Sequence, residues 1–148
     1  MESKYNESTP QRPEGARVVD DKVVSIDLPT FMKRLKEERT WADSDRNAIT
    51  VFKTNGFRVV LVGLHKAAEM PRHTAAGIIS VQVMEGKIIF STDERDMYLE
   101  AGHMAVLHKN IPHSVKAETD SFFLLTLTTS AAMDDETVSS TGESDLPY

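Results

Sequence analysis

The sequence contains no cysteine, which excludes disulfide staples, thiolate metal sites and a cysteine nucleophile. Aromatic residues are scarce, with one tryptophan, Trp41. No apolar run approaches the roughly 20 residues that cross a bilayer. Residues 1–21 are polar and lack the apolar stretch of a secretory signal. The expectation is a cytoplasmic protein without membrane contact. There is no glycine-rich phosphate loop and no G-x-S-x-G elbow. Positive charge is short too: net charge is −6, of which residues 130–148 carry −5 and residues 1–21 carry −2. The remaining stretch, 22–129, is +1. With no basic face to neutralise phosphates, nucleic-acid binding is not expected. The acidic end reads as a solubilising tail.

What is present is a series of short strands. Residues 1–21 are rich in Glu, Ser, Pro and Arg and bury too little apolar surface to offset ordering entropy, so they read as disordered, as does the tail at 130–148. Between them lies one domain, 22–129. Val23, Val24 and Ile26 suggest a short strand. Asp27-Leu28-Pro29 then opens a helix, with Asp27 as N-cap and Pro29 in the first turn. Leu28, Phe31, Met32 and Leu35 form one apolar stripe over about residues 28–39. From about 48 to 128 the period is that of strands. Asn55-Gly56 and Glu85-Gly86 mark hairpin turns, Met70-Pro71 breaks the intervening stretch, and eight or nine strands follow one another closely. With no helix between strands, a parallel βαβ sheet is ruled out. The pattern is all-β, a jelly roll or related barrel with one short N-terminal helix.

Two spaced motifs carry a resemblance. Residues 67–86 follow G-x5-H-x-H-x3-4-E-x6-G, with Ala67 at the opening glycine, His73 at the first histidine, Ala75 at the second, Ile79 at the glutamate and Gly86 closing. Residues 102–117 follow G-x5-P-x-G-x2-H-x3-N, with Gly102 and His113 in place, His108 at the proline, Asn110 at the glycine and Ala117 at the asparagine. On these residues the chain resembles the cupin family, in particular its small single-domain bacterial members. The resemblance implies a cupin-type jelly-roll β-barrel and a homodimer. Gly86 supplies positive φ for a hairpin, Gly102 opens a strand after a turn, and Asn110 tolerates the left-handed conformation.

The metal site that the resemblance implies uses three histidines and a glutamate. Here His73 and His113 survive, while Ala75 and Ile79 cannot coordinate. Two imidazoles fall short of the usual three protein ligands. No resident cofactor is therefore expected. If a divalent Fe, Mn, Ni or Zn ion is bound, His108 is the third ligand to His73 and His113. His65 lies about 26 Å of extended chain from His73. His103 reads as a surface residue, Trp41 as core, and Glu69 as a solvated loop carboxylate. Ser80 and Ser114 lie near the histidines without an acid to complete a triad.

Strand alternation then gives the pocket wall. If position 79 points inward, Ile79 and Val81 share that face, and Met104, Val106 and His108 share a face of a neighbouring strand. Such a pocket is apolar with a few polar points, better suited to a small apolar or aromatic acid than to a sugar. Phe122 to Leu125 are apolar on both faces, which fits burial beneath the helix or a dimer interface. The leading expectation is a small-molecule-binding protein with its ligand held by His73 and His113, Ile79, Val81, Met104 and Val106. The alternative is a metal-dependent oxygenase, isomerase or decarboxylase.

Overall fold

The computed structural model describes residues 4–6 and 17–129, with side chains from residue 20 onward. Two short strands, β1 (Lys4–Asn6) and β2 (Arg17–Asp20), pair antiparallel, so these parts of the lead-in are not the unordered chain expected there. Most of that lead-in, and the acidic tail, lie outside the described residues. Val23, Val24 and Ile26 form no strand. Ile26 instead packs against the helix-side apolar cluster, while Val23 is exposed.

Helix α1 (Leu28–Glu37) starts as its sequence dictates. Asp27 is extended, and its carboxylate accepts from the Thr30 amide at 3.2 Å. The helix stops two residues earlier than expected, because Glu38 turns extended and a separate five-residue helix α2 (Arg39–Asp43) follows. Glu38 is held there by Asn47, whose Nδ2 donates to Glu38 Oε1 and to the Leu35 carbonyl, both at 3.0 Å.

Nine strands make the barrel. They are β3 (Arg46–Thr54), β4 (Phe57–Leu64), β5 (Glu69–His73), β6 (Ile79–Glu85), β7 (Lys87–Thr92), β8 (Asp96–Glu100), β9 (Met104–Leu107), β10 (His113–Ala117) and β11 (Ser121–Thr128). One sheet has the order β3-β4-β11-β6-β9 and the other β5-β10-β7-β8. All neighbours are antiparallel, which gives the all-β jelly roll. The Gly56 turn takes φ of +82°, as the β3–β4 hairpin requires. Gly86 has the same φ, but the hairpin expected there does not form: β6 and β7 lie in different sheets, so this turn carries the chain from one sheet to the other. Met70-Pro71 does not break the chain: β5 runs through it as an edge strand with a register shift, where proline's missing N–H leaves no ladder bond unmade.

Two apolar clusters hold the structure. Between the sheets lie Val60, Val62, Val81, Val83, Ile88, Phe90, Phe123 and Leu125. On the outer face of the five-stranded sheet, Leu35 of α1 meets Ile49, Leu61 and Phe122, with Trp41 and Leu124 alongside. The two apolar faces of β11 are thus accounted for by the barrel core on one side and the helix layer on the other. Phe122 lies directly on its register partner Gly63, where an added Cβ would fall 2.4 Å from the ring.

Candidate functional site

His73 closes β5 and His113 opens β10, and the two are register partners. Between this pair and the next, Val115 with Met70, β5 carries extra chain. A bulge of this kind re-aims a side chain at a sheet edge, and here it turns His73 toward His113. Their ring centroids lie 4.3 Å apart at an interplanar angle of 58°. Each ring is fixed by the same local device. The Nδ1 of His73 faces the Pro71 carbonyl at 3.0 Å, and the Nδ1 of His113 faces the Ile111 carbonyl at 2.8 Å. A carbonyl oxygen only accepts, so both Nδ1 atoms carry the proton and donate. In the neutral rings both Nε2 atoms therefore keep a lone pair. The Phe90 ring lies parallel to His113 with centroids 5.5 Å apart, which fixes its plane further.

Burial governs the charge on His113. His113 is only 5 % exposed, whereas His73 is half-buried. Loss of hydration pushes the His113 imidazole below its ordinary value of 6.5. Its bond to the Ile111 carbonyl acts in the opposite direction, and charge on His73 lowers it further. His113 is thus a neutral imidazole with an acceptor nitrogen.

A cavity beside the two rings is walled by Ile79, Val81, Met70, Phe90, Val115 and Phe123, among others. Its volume is about 10 Å³, room for about one water. At the positions where the resemblance calls for metal ligands, Ala75 and Ile79 are buried in the core. His108 is exposed and does not complete a set. Among the described residues no three His, Asp or Glu side chains converge to hold a metal ion. The donor set of two imidazoles flanked by alanine and isoleucine does not fit the metal that the resemblance implies.

The other expected wall is turned around. Met104 and Val106 are 53 % and 62 % exposed, while Ala105 and Leu107 point into the barrel. Register explains it. Ala105 pairs with inward-facing Val81, Met104 with exposed Gln82, and paired residues share a face. Met104, Val106 and His108 belong instead to an open groove of about 550 Å³ between the edge strands β8 and β9, together with Asp93, Arg95 and Ile111.

The remaining sequence candidates have structural roles. His65 stacks on Trp41 with centroids 3.6 Å apart, and its ring nitrogens face the Trp41 carbonyl and the Asp120 carboxylate. His103 accepts the Glu100 amide in an exposed turn. Glu69 is exposed, and Ser80 and Ser114 are half-buried strand residues. Ala67 and Asn110, at the two motif glycines, have φ of 74° and 63°. The left-handed geometry of those glycines persists without them.

Two features escaped the sequence reading. Arg72 and Asp93 form a two-pronged ion pair that ties β5 to the β7–β8 loop beside the histidines. Arg58 lies on the inward face of β4, yet its Nε and Nη2 are enclosed without a hydrogen-bond partner. Its alternation with Val60 and Val62 was the available signal.

Comparisons with known proteins agree with this architecture. A cupin-2 domain protein from Shewanella frigidimarina is 18% identical, with 70% of this chain and 93% of that one aligned at a TM-score of 0.57. A conserved protein of unknown function from Streptococcus pyogenes is 19% identical over 75% of this chain and 91% of its own, also at 0.57. Salicylate 1,2-dioxygenase from Pseudoaminobacter salicylatoxidans is 20% identical over 82% of this chain and 35% of its own, at 0.61. At these identities the likeness is one of fold. No curated protein matches. The family described as the AraC-like ligand binding domain matches residues 62–146. Taken with the jelly-roll topology and the placement of the motif residues, that match makes this chain a member of the AraC-like ligand-binding domain family within the cupin superfamily.

Proposed function

We propose that the chain binds a small organic molecule in the mouth of its barrel, with His73 and His113 as the polar anchors and no catalytic metal. The observation that carries this reading is the imidazole pair itself. Both Nδ1 protons are committed to backbone carbonyls, which leaves two Nε2 acceptors over an apolar wall that includes Ile79 and Val81. Sites for small ligands have this character, mostly apolar with a few convergent polar groups. The ligand's polar atom takes the water-sized space beside the rings, and Met70 and His73 shift to admit its body. Met70 has an unbranched, adaptable side chain, and His73 sits at the half-buried rim. The proposal keeps a cytoplasmic location and a homodimer; light scattering checks the latter, and a monomer mass removes it.

The volume of the β8–β9 groove favours a second reading, in which the ligand lies across exposed Met104 and Val106. One experiment separates the two. A small-molecule library is screened by thermal shift, and hits are followed in ¹H–¹⁵N spectra of the imidazoles. The barrel reading expects hits to move the Nε2 resonances of His73 and His113. Hits that leave both unmoved and are lost in Val106→Asp place the ligand in the groove instead.

A further inference from the structure

Arg58 is the second residue of β4. Strand alternation places it on the face of Val60 and Val62, both in the barrel core. Its register partner on β11 is Leu127, whose partner on β6 is Ile79. One inward-facing row thus runs from Arg58 through Leu127 to Ile79, and Ile79 walls the cavity shared by His73 and His113. Two strand spacings, about 10 Å, separate the ends of the row.

A guanidinium is charged at any relevant pH. The Nε and Nη2 of Arg58 are the only fully enclosed side-chain polar atoms without a hydrogen-bond partner among the described residues. Buried donors are almost always satisfied, so an orphaned pair asks for an acceptor. The strand partners of Arg58, Leu127 and Lys53, bring no negative charge. Which two atoms are orphaned is informative. Nε and Nη2 form the side edge of the guanidinium fork, whose parallel N–H bonds match the two oxygens of a carboxylate. The chain itself uses this edge at Arg46, where Nε donates to Asp45 Oδ1 at 2.9 Å and Nη2 to Oδ2 at 3.2 Å. Arg58 carries the same edge with nothing on it.

We propose that the side edge of Arg58 is the carboxylate subsite of the barrel ligand, which makes that ligand a small monocarboxylic acid with an apolar body and a hydroxyl at its far end to donate to the imidazole Nε2 acceptors. The inference rests on the reading of the barrel mouth as the binding site. One guanidinium balances one carboxylate, and the acid's body lies along Leu127 and Ile79 toward the imidazoles.

The test is calorimetric titration of the full chain at low salt with 4-hydroxybenzoate and 6-hydroxyhexanoate, and with 4-hydroxybenzamide and 6-hydroxyhexanamide as neutral counterparts. The acids are expected to bind at least about 10-fold more tightly than the amides, as hydrogen bonds to a charged group imply. Arg58→Met keeps length and packing and should abolish that preference, while melting no lower than the parent without ligand. Should it fail to fold, Arg58→Lys keeps the charge, loses the fork, and should reduce the preference. Equal affinity for acids and amides, no acid binding, or an acid preference that survives Arg58→Met overturns the proposal. So does a lower melting temperature of D134N/D135N/E136Q in the parent but not in Arg58→Met, which gives the edge to the chain's own tail. An acid preference untouched by His113→Asn leaves Arg58 in place and removes the histidine anchors alone.

Discussion

His113 is built to stay neutral. It is enclosed, stacked on Phe90, and donates Nδ1–H to a backbone carbonyl. Burial sets its folded pKa below the ordinary 6.5. The sign follows directly. Above 6.5 neither the folded nor the unfolded chain protonates this ring. Below 6.5 the unfolded chain takes up the proton first, so stability falls with pH until the folded ring also titrates. The expected loss attributable to this residue is at most about 1.4 kcal/mol per pH unit. Denaturant titrations from pH 8 to pH 5 on the parent and on His113→Gln check it; equal slopes in this window would contradict the account. Ala67 offers a second residue-scale test. A left-handed alanine costs about 1–2 kcal/mol relative to a relaxed backbone, and glycine gives back up to about 1 kcal/mol through unfolded-state entropy. Ala67→Gly is therefore expected to be neutral or stabilising by up to about 2 kcal/mol, whereas a clear loss of stability would show that φ of 74° is not strained here. At this scale the sequence was informative about His73 and His113, because motif spacing is a local property. Alternation with Val60 and Val62 was a signal that Arg58 faces inward, but the sequence was silent on its lack of a partner, because that depends on what fails to touch it.

Among elements, close approach and conformation make different demands on glycine. A Cβ at Gly77 would fall 1.8 Å from the Thr128 carbonyl oxygen, backbone against backbone, at the junction that leads into β6. Gly77→Ala is expected to destabilise by about 3 kcal/mol or more, since neither chain can give way. Gly102 has φ of +92° and open space around it, so Gly102→Ala should lose only about 1–2 kcal/mol from the backbone. Chemical denaturation of the two variants side by side decides the point; comparable losses would contradict it. In the helix layer, Leu35 is fully buried against Ile49, Leu61 and Phe122. Leu35→Ala is expected to lose about 2–5 kcal/mol. A loss under 1 kcal/mol would show that α1 packs loosely on the sheet. The hairpin at Asn55-Gly56 was legible because turn chemistry is local; at Glu85-Gly86 the turn was legible, but not that it joins two different sheets. The face of β9 was not. A strand after a tight turn can enter the sheet in either parity, and pairing with β6 alone turned Met104 and Val106 outward.

For the molecule as a whole, the question is what fills the barrel. Two sheets close over one core, and alanine and isoleucine stand where two family ligands would. With two convergent imidazoles, tight binding of a divalent ion is not expected. Protein purified without a histidine tag should carry well under one Fe, Mn, Ni or Zn per chain, and its melting temperature should be the same with and without chelator. A stoichiometric metal that is retained in His108→Ala but lost in His113→Ala would reverse this.

The sequence by itself determined the class of fold, the Asn55-Gly56 hairpin and the helix start at Asp27, because turn chemistry and alternation are written in neighbouring residues. Only the tertiary structure decided that the space beside the histidines is the size of a water, that β9 shows its apolar side chains to solvent, and that Arg58 faces inward unpaired. Those outcomes depend on register and on what each side chain meets across the barrel, and chain-local patterns do not encode such distances.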